Sequence, residues 1–283
     1  MFNKESIEAL QEGTSIVEMA AAVHAAFNDH GIVTVPDKYT LKDLEKFMPA
    51  RRRQRGTMNT NSIPDFAGYT QKHKEAGCTV FVNPDNMAAR AVLNLGTQDH
   101  PGHCDNTAVV TLEKTAAFLA LLSHTAQHVN LKQSQMAEFL EDWSDEITCY
   151  NNEGEENAYI PMHKAIAAVR KLTIESMQKL ESEAKQLSAS KSTFESVAAT
   201  STETIPTILH FATVPYHGLD ARTFDVRLGI NTGGPVPTIG LRIIKMEEHD
   251  EQMAFEFAQL VRNALTDEAL PVLIGSYTTQ EKN

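Results

Sequence analysis

Apolar and polar residues recur along this chain with two periods, and the shorter one is plainest in the C-terminal third. Phe224, Val226, Leu228 and Ile230 alternate with Asp225, Arg227, Gly229 and Asn231, the two-residue period of a half-buried strand. The turn residues Asn231-Thr232-Gly233-Gly234-Pro235 join this run to Ile239-Gly240-Leu241-Arg242-Ile243 as a hairpin. Residues 207–214 and 238–246 are β-rich as well, and 271–274 supply a last short strand. Between them Met253, Phe257, Leu260, Val261 and Ala264 form one apolar helix face, expected to lie over the hairpin sheet.

The longer period opens the chain. Ile16, Met19, Ala20, Val23 and Phe27 make a helical stripe over 15–29, with Thr14 or Ser15 as cap and Gly31 after its end. A short extended piece at 32–35 stops at Pro36, and 39–47 reads as a brief helix ending before Pro49. Residues 64–75 are helical with Pro64 at the first position, preceded by a polar loop at 57–62. Three extended runs follow, at 78–83, 89–95 and 107–112. The last two are joined by the turn-rich 96–106 as a long antiparallel connection.

Thr115 then caps a helix over 116–129, with Phe118, Leu119, Leu121 and Leu122 inward. Asn130 and Gln133 resemble a capping box opening a helix striped by Met136, Phe139, Leu140 and Trp143. Residues 161–172 continue as helix, while 173–200 fit either a helix or strands. Hairpin strands with helices grouped between them indicate an α+β fold: antiparallel sheets with helices packed on one face. The expected organisation is an N-terminal α+β lobe over 1–150, an acidic linker at 151–160, and a C-terminal α+β lobe over 161–283.

Charge narrows the partners. Thirty-seven acids against 25 bases give −12, which argues against a general nucleic-acid coat or a binder of acidic membranes but leaves room for a local basic site. Residues 138–156 hold eight acids and no base, the pattern of a solvated face or an interaction surface. Arg51, Arg52, Arg53 and Arg55 form the one dense basic run, able to meet a subunit, a phosphate or only water. No apolar stretch reaches the ~20 residues that span a bilayer, and no signal-peptide run opens the chain. Cys78, Cys104 and Cys149 are few and scattered, which reads as free thiols in a reducing compartment. A cytoplasmic protein is expected.

Candidate chemistry is sparse. Neither phosphate-binding glycine motif occurs, because Gly233-Gly234 sits in a hairpin turn and opens no helix. There is no G-x-S-x-G elbow, and Cys104 beside His103 points away from it on an extended chain. The strongest catalytic alternative is a metal site. Asp99, His100, His103, Cys104 and Asp105 cluster in one turn, and His124 with His128 project two imidazoles from one helix face, as zinc requires. No glutamate accompanies that pair as in H-E-x-x-H, and satisfied surface histidines explain the same residues. No catalytic, cofactor-binding or metal-binding residue is therefore assigned, and no cofactor.

The order of several segments carries a resemblance. Phe81-Val82, Ala91-Val92-Leu93-Asn94, the Pro101-Gly102-His103-Cys104-Asp105 turn and Ser134-Gln135-Met136-Ala137-Glu138-Phe139-Leu140-Glu141-Asp142 form its first half. The Pro215-Tyr216 step, the strand at 224–230 and Pro271-Val272-Leu273-Ile274-Gly275 complete it. In this order the chain resembles the YfdQ family of phage and prophage proteins over about residues 60–275. The resemblance implies a phage accessory role in the bacterial host and no established reaction. The expected function is non-enzymatic: self-assembly into a homo-oligomeric ring or shell, or binding of a host or phage protein, without direct contact to nucleic acid or membrane. The alternatives are a metal-dependent hydrolase of phage nucleic-acid metabolism and an inhibitor or decoy of a host defence protein.

Overall fold

In a computed structural model, the described residues are 45–127, 129–151, 159–171, 205–231, 238–265 and 270–278, with single positions 4, 18 and 21. The helix expected over 15–29, the strand at 32–35, the acidic stretch at 152–158 and the ambiguous segment at 173–200 lie outside them, the two single positions 18 and 21 aside. The chain forms two compact units, Met1–Gln54 and Arg55–Asn283. In the first, the described residues include a 3₁₀ turn, Glu45–Phe47, at the end of the helix read over 39–47. The Arg52 amide donates to Glu45 Oε1 at 3.1 Å.

The second unit holds two five-stranded sheets, and the α+β reading stands. The first sheet contains β1 (Gly56–Thr60), β2 (Thr79–Asn83), β3 (Ala88–Val92), β4 (Asn106–Thr111) and β10 (Val272–Ile274), in the order β1-β4-β3-β2-β10. Its centre is an antiparallel meander, β2–β3–β4, in which the β3–β4 pairing is the antiparallel connection read from the sequence. Both edge strands are parallel to their neighbours: β1 to β4 and β10 to β2. β1 is a correction, because its polar sequence reads as loop. Its extended form is imposed by the ladder to β4, reinforced where Thr57 Oγ1 lies 2.9 Å from Thr107 Oγ1.

The second sheet, β6-β5-β7-β8-β9, is antiparallel throughout. It comprises β5 (Ile147–Tyr150), β6 (Tyr159–Ile160), β7 (Ile208–Thr213), β8 (Arg222–Asn231) and β9 (Thr238–Ile243). The expected β8–β9 hairpin pairing is present, from Val226↔Ile243 to Asn231↔Thr238. The strand read over 238–246 ends at Ile243, and Met246 begins a helix. Sequence reading missed β5, which is hidden among the acids of 138–156. Each sheet draws strands from both sides of residues 151–160.

Five helices complete the described architecture: α1 (Ile63–His73), α2 (Ala116–Thr125), α3 (Gln133–Asp142), α4 (Met162–Lys171) and α5 (Met246–Ala264). Pro64 stands in the first turn of α1, and the Ser62 side chain accepts from the Asp65 amide at 3.3 Å as its cap. Thr115 caps α2 as expected, although Leu119 faces solvent while Phe118 and Leu121 are buried. α3 opens two residues later than read. Gln135 Oε1 accepts from the Lys132 amide at 2.9 Å, so the back-bonding glutamine is Gln135 and not Gln133.

The helices sort by sheet. α2, α3 and α4 cover the apolar face of the second sheet, where Phe118 stacks on Phe224 at 5.1 Å and Phe139 on Phe211 at 6.1 Å. α1 and α5 lie on the first sheet. That corrects the expectation that the Met253–Val261 face of α5 covers the hairpin sheet: Met253, Phe257 and Val261 are buried, but α5 packs against α1, β2 and the 3₁₀ turn Pro84–Asn86. It reaches the second sheet only along its flank. There His249 meets Phe224 at 4.7 Å, and Glu256 accepts from Arg222 Nη2 and, at 2.6 Å, from the Asp220 amide. A sequence stripe reports that a helix face is buried; it carries no label for the surface that buries it.

Candidate functional site

The turn that gathers Asp99, His100, His103, Cys104 and Asp105 is the β3–β4 connection, and backbone packing dominates it. The Gly102 amide donates to Leu95 O at 2.8 Å and the Thr97 amide to His100 O at 2.9 Å. A Cβ on Gly102 would stand 1.9 Å from Asn94 O, and one on Gly77, at φ +75°, 1.8 Å from Gly96 O. Glycine is required at both places by close backbone approach. Asn94 bridges the ends of the loop: its Nδ2 donates to Asp105 Oδ1 at 2.9 Å and its Oδ1 accepts from the Asn106 amide at 3.0 Å.

The metal candidates do not converge there. Asp99, His100 and His103 are exposed. His124 is engaged locally, with Nδ1 2.7 Å from Ala120 O and its ring stacked on Phe139 at 4.4 Å. His128 lies outside the described residues. Among the described residues no three His, Cys, Asp or Glu side chains stand together as a metal would need. Cys104 has left-handed backbone, φ 58°, and its Sγ lies 3.4 Å from the Tyr277 hydroxyl. That hydrogen bond, with a smaller contribution from burial, pushes the Tyr277 phenol up from its ordinary range. The Tyr277 ring stacks on Phe81 at 5.0 Å and its carbonyl accepts from Arg90 Nη1 at 3.3 Å. Thus the chain beyond β10 lies over the outer face of the first sheet.

A stronger candidate site stands at the β10 edge. Leu273 and Ile274 are 50% and 55% exposed on the outermost strand of the first sheet, Leu273 in register with Phe81 on the outer face, and Phe255 of α5 is 64% exposed on the side of Ile274. Ile274 and Phe255 share a cleft of about 590 Å³ whose apolar wall continues through Met87, Ala254 and Ala258. Its rim is charged: Asp85, Asp250 and Glu251 face one basic group, Arg262. Desolvation, then the neighbouring Glu247 carboxylate, push Asp250 upward, while His249 and Lys114 pull it back. A second cleft of about 820 Å³ opens between the start of α1 and the end of α5, lined by Ser62, Pro64, Glu113, His217, Leu260 and Asn263.

Sequence reasoning placed a strand at 271–274 without seeing that it ends a sheet, and it missed Phe255. The signal was present: Phe255 falls two residues from Met253 and Phe257, half a turn out of phase with the buried stripe. An aromatic in that position has no place in the core its own helix builds.

Comparison with known proteins matches residues 4–277 to one family model, described as "Uncharacterized conserved protein (DUF2303)". No curated protein and no solved structure matches the chain.

Proposed function

The chain belongs to the DUF2303 family, and for it we propose self-assembly through the β10 edge, in the setting of a phage or prophage accessory protein. The setting rests on the resemblance to YfdQ proteins; the assembly reading rests on the edge itself. One observation carries it: Ile274 and Phe255, each more than half exposed, share one apolar cleft at the outermost strand of the first sheet, and half-exposed Leu273 stands next along that strand on its other face. An unpaired strand edge is a template for another strand, and contiguous exposed apolar surface marks an interaction site.

The occupant is a second copy of this chain. β10 has three residues, too few to hold a partner by backbone pairing alone, so Phe255 and the cleft wall must be buried with it. A two-fold contact brings the same patch of both copies together, apolar on apolar. A head-to-tail ring would instead join β10 to the opposite edge, β1, whose Gly-Thr-Met-Asn-Thr sequence is polar and largely exposed. The edge chemistry therefore favours the two-fold contact over the ring or shell.

Light scattering on the full chain tests this. At micromolar concentration the expected mass is about twice the 31.3 kDa protomer, falling to one protomer in a Leu273→Glu, Phe255→Glu variant that keeps its circular dichroism. A wild-type monomer overturns the proposal. The acidic rim favours a second reading, capture of a basic segment of a host or phage protein, which rim variants Asp250→Asn and Glu251→Gln would weaken. Stoichiometric zinc, manganese or iron on the purified chain would point instead to the hydrolase.

A further inference from the structure

Two stripes run along α5. One, Met253, Phe257 and Val261, is buried in the core of its own chain. The other is Glu251, Phe255, Ala258 and Arg262, spaced four, three and four. Eleven residues carry a helix about 20° past three full turns and advance it roughly 16 Å, so these four side chains stand in one line. All four line the cleft beside β10. Glu251 and Arg262 are exposed, and among the described residues neither has an ion pair or a side-chain hydrogen bond. Two other acids of the helix are held within the chain, Glu248 by Lys245 at 2.9 Å and Glu256 by Arg222. Glu247 and Asp250 stand near Glu251 in the first turns, so the open face is acidic at its start and basic only at Arg262.

A line with an acid at one end, a base at the other, and one large and one small apolar residue between them is complementary to its own reverse. Laid antiparallel on a second copy, about a two-fold axis between Phe255 and Ala258, it sets Glu251 opposite Arg262 twice and Phe255 opposite Ala258 twice. A parallel pairing would set Glu251 on Glu251 and Arg262 on Arg262. We propose that α5 pairs antiparallel with α5 of a second copy in this register. The proposal rests on the self-assembly reading above and gives that contact its geometry. Helices packed side by side stand about 8–10 Å apart. At Ala258 the cleft wall has no side chain beyond Cβ, which leaves room there for the Phe255 ring of the other copy. Burying that exposed aromatic supplies most of the affinity, while the charges at the rim fix register and direction. Asp85, Asp250 and Glu251 outnumber Arg262 around the cleft, so without Arg262 the two faces meet acid on acid. Acids early in a helix and a base late also suit its own dipole; that role acts within one chain and would alter its stability without altering its mass.

Charge exchange, read by light scattering of the full chain over a dilution series, tests the register. Glu251→Arg and Arg262→Glu, each alone, set like charges opposite at both ends and should weaken the dimer roughly 10-fold or more. Glu251→Arg should do so although it lowers the net negative charge, the opposite of what general repulsion between acidic chains would give. The double exchange, Glu251→Arg with Arg262→Glu, keeps the net charge of −12 and should restore wild-type association. Circular dichroism and denaturation midpoints show that each exposed variant remains folded. A wild-type monomer removes the assembly reading and this register with it. A wild-type dimer that the single exchanges leave unweakened, or that the double exchange fails to restore, overturns the α5 pairing alone and leaves assembly at the cleft standing.

Discussion

The first sheet faces its helices with small residues, Val80, Val82, Ala89, Ala91, Ala108 and Val110, and takes its bulk from Phe66, Met253 and Phe257 on the helices. The second sheet supplies bulk itself, through Leu209, Phe211, Phe224, Val226 and Leu241, and its helices answer with Phe118, Phe139 and Leu140. The two also end differently. The first closes with parallel edge strands brought from far along the chain, one of them apolar and exposed; the second is an antiparallel series throughout. Small sheet residues let α1 and α5 approach closely, but they leave the stability of the first sheet to helix side chains and to one tightly packed connection. The second sheet distributes the same task over many cross-strand pairs.

The sharpest way to break this contrast is at its glycines. Gly102→Ala in the β3–β4 connection should cost about 4 kcal/mol or more, or abolish folding, because the new methyl meets Asn94 O. Gly229→Ala in the second sheet, whose Cβ would rest 4.0 Å from Gly240 O, should change stability by no more than about 0.5 kcal/mol. Denaturant melts of both variants check the difference.

Core truncations should come next. Phe224→Ala removes a ring held between Phe118 and His249 and is expected to cost about 3–5 kcal/mol. Val82→Ala in the first sheet removes far less volume and should cost about 1–2 kcal/mol. Equal losses by chemical denaturation would mean that the two sheets share one packing regime.

The thiols sharpen the comparison further, since each sheet region contains one that is buried. Burial pushes Cys78 up to about 11 and Cys149 up to about 12. A folded-state value above the unfolded one means that the native state holds its proton longer. Stability is therefore expected intact below pH ~9, the range in which an unfolded thiol keeps its proton, and should fall as pH rises through these values. Melts between pH 8 and 11 in wild type and in Cys149→Ala and Cys78→Ala variants should show that alkaline loss shrinking when either thiol is removed. Native alkylation at neutral pH should reach half-exposed Cys104 and spare the other two. At the α1 cap, Ser62→Ala should cost about 1 kcal/mol, read as a small drop in the denaturation midpoint.

The legibility of the two sheets in sequence differs for the same reason. Strands β8 and β9 announce themselves because apolar and polar residues alternate along them and because they are neighbours in the chain, and β7 as a β-rich run. β2, β3 and β4 are legible too, as β-branched or small apolar runs around a turn-rich connection. β1 is not, since its polar residues become a strand only when β4 lies beside them. The β10 site was half legible: its strand could be read and the phase of Phe255 marks it as lying outside the buried stripe, while the edge position and the exposure of Leu273 and Ile274 could not be read. The loop histidines looked like a site in sequence because proximity along the chain imitates convergence; in the fold they point to solvent.

What the amino-acid order determined by itself is local: most of the helical and extended segments and their apolar faces, Pro64 in the first turn of α1, the Thr115 cap, and the α+β class. Periodicity and capping act within one or two turns of chain, so the order of residues suffices. Tertiary structure alone decided that α5 covers the first sheet and that residues 272–274 return to pair with 80–82. Those pairings join positions distant in the chain, where many partners offer similar apolar faces and only global packing selects among them.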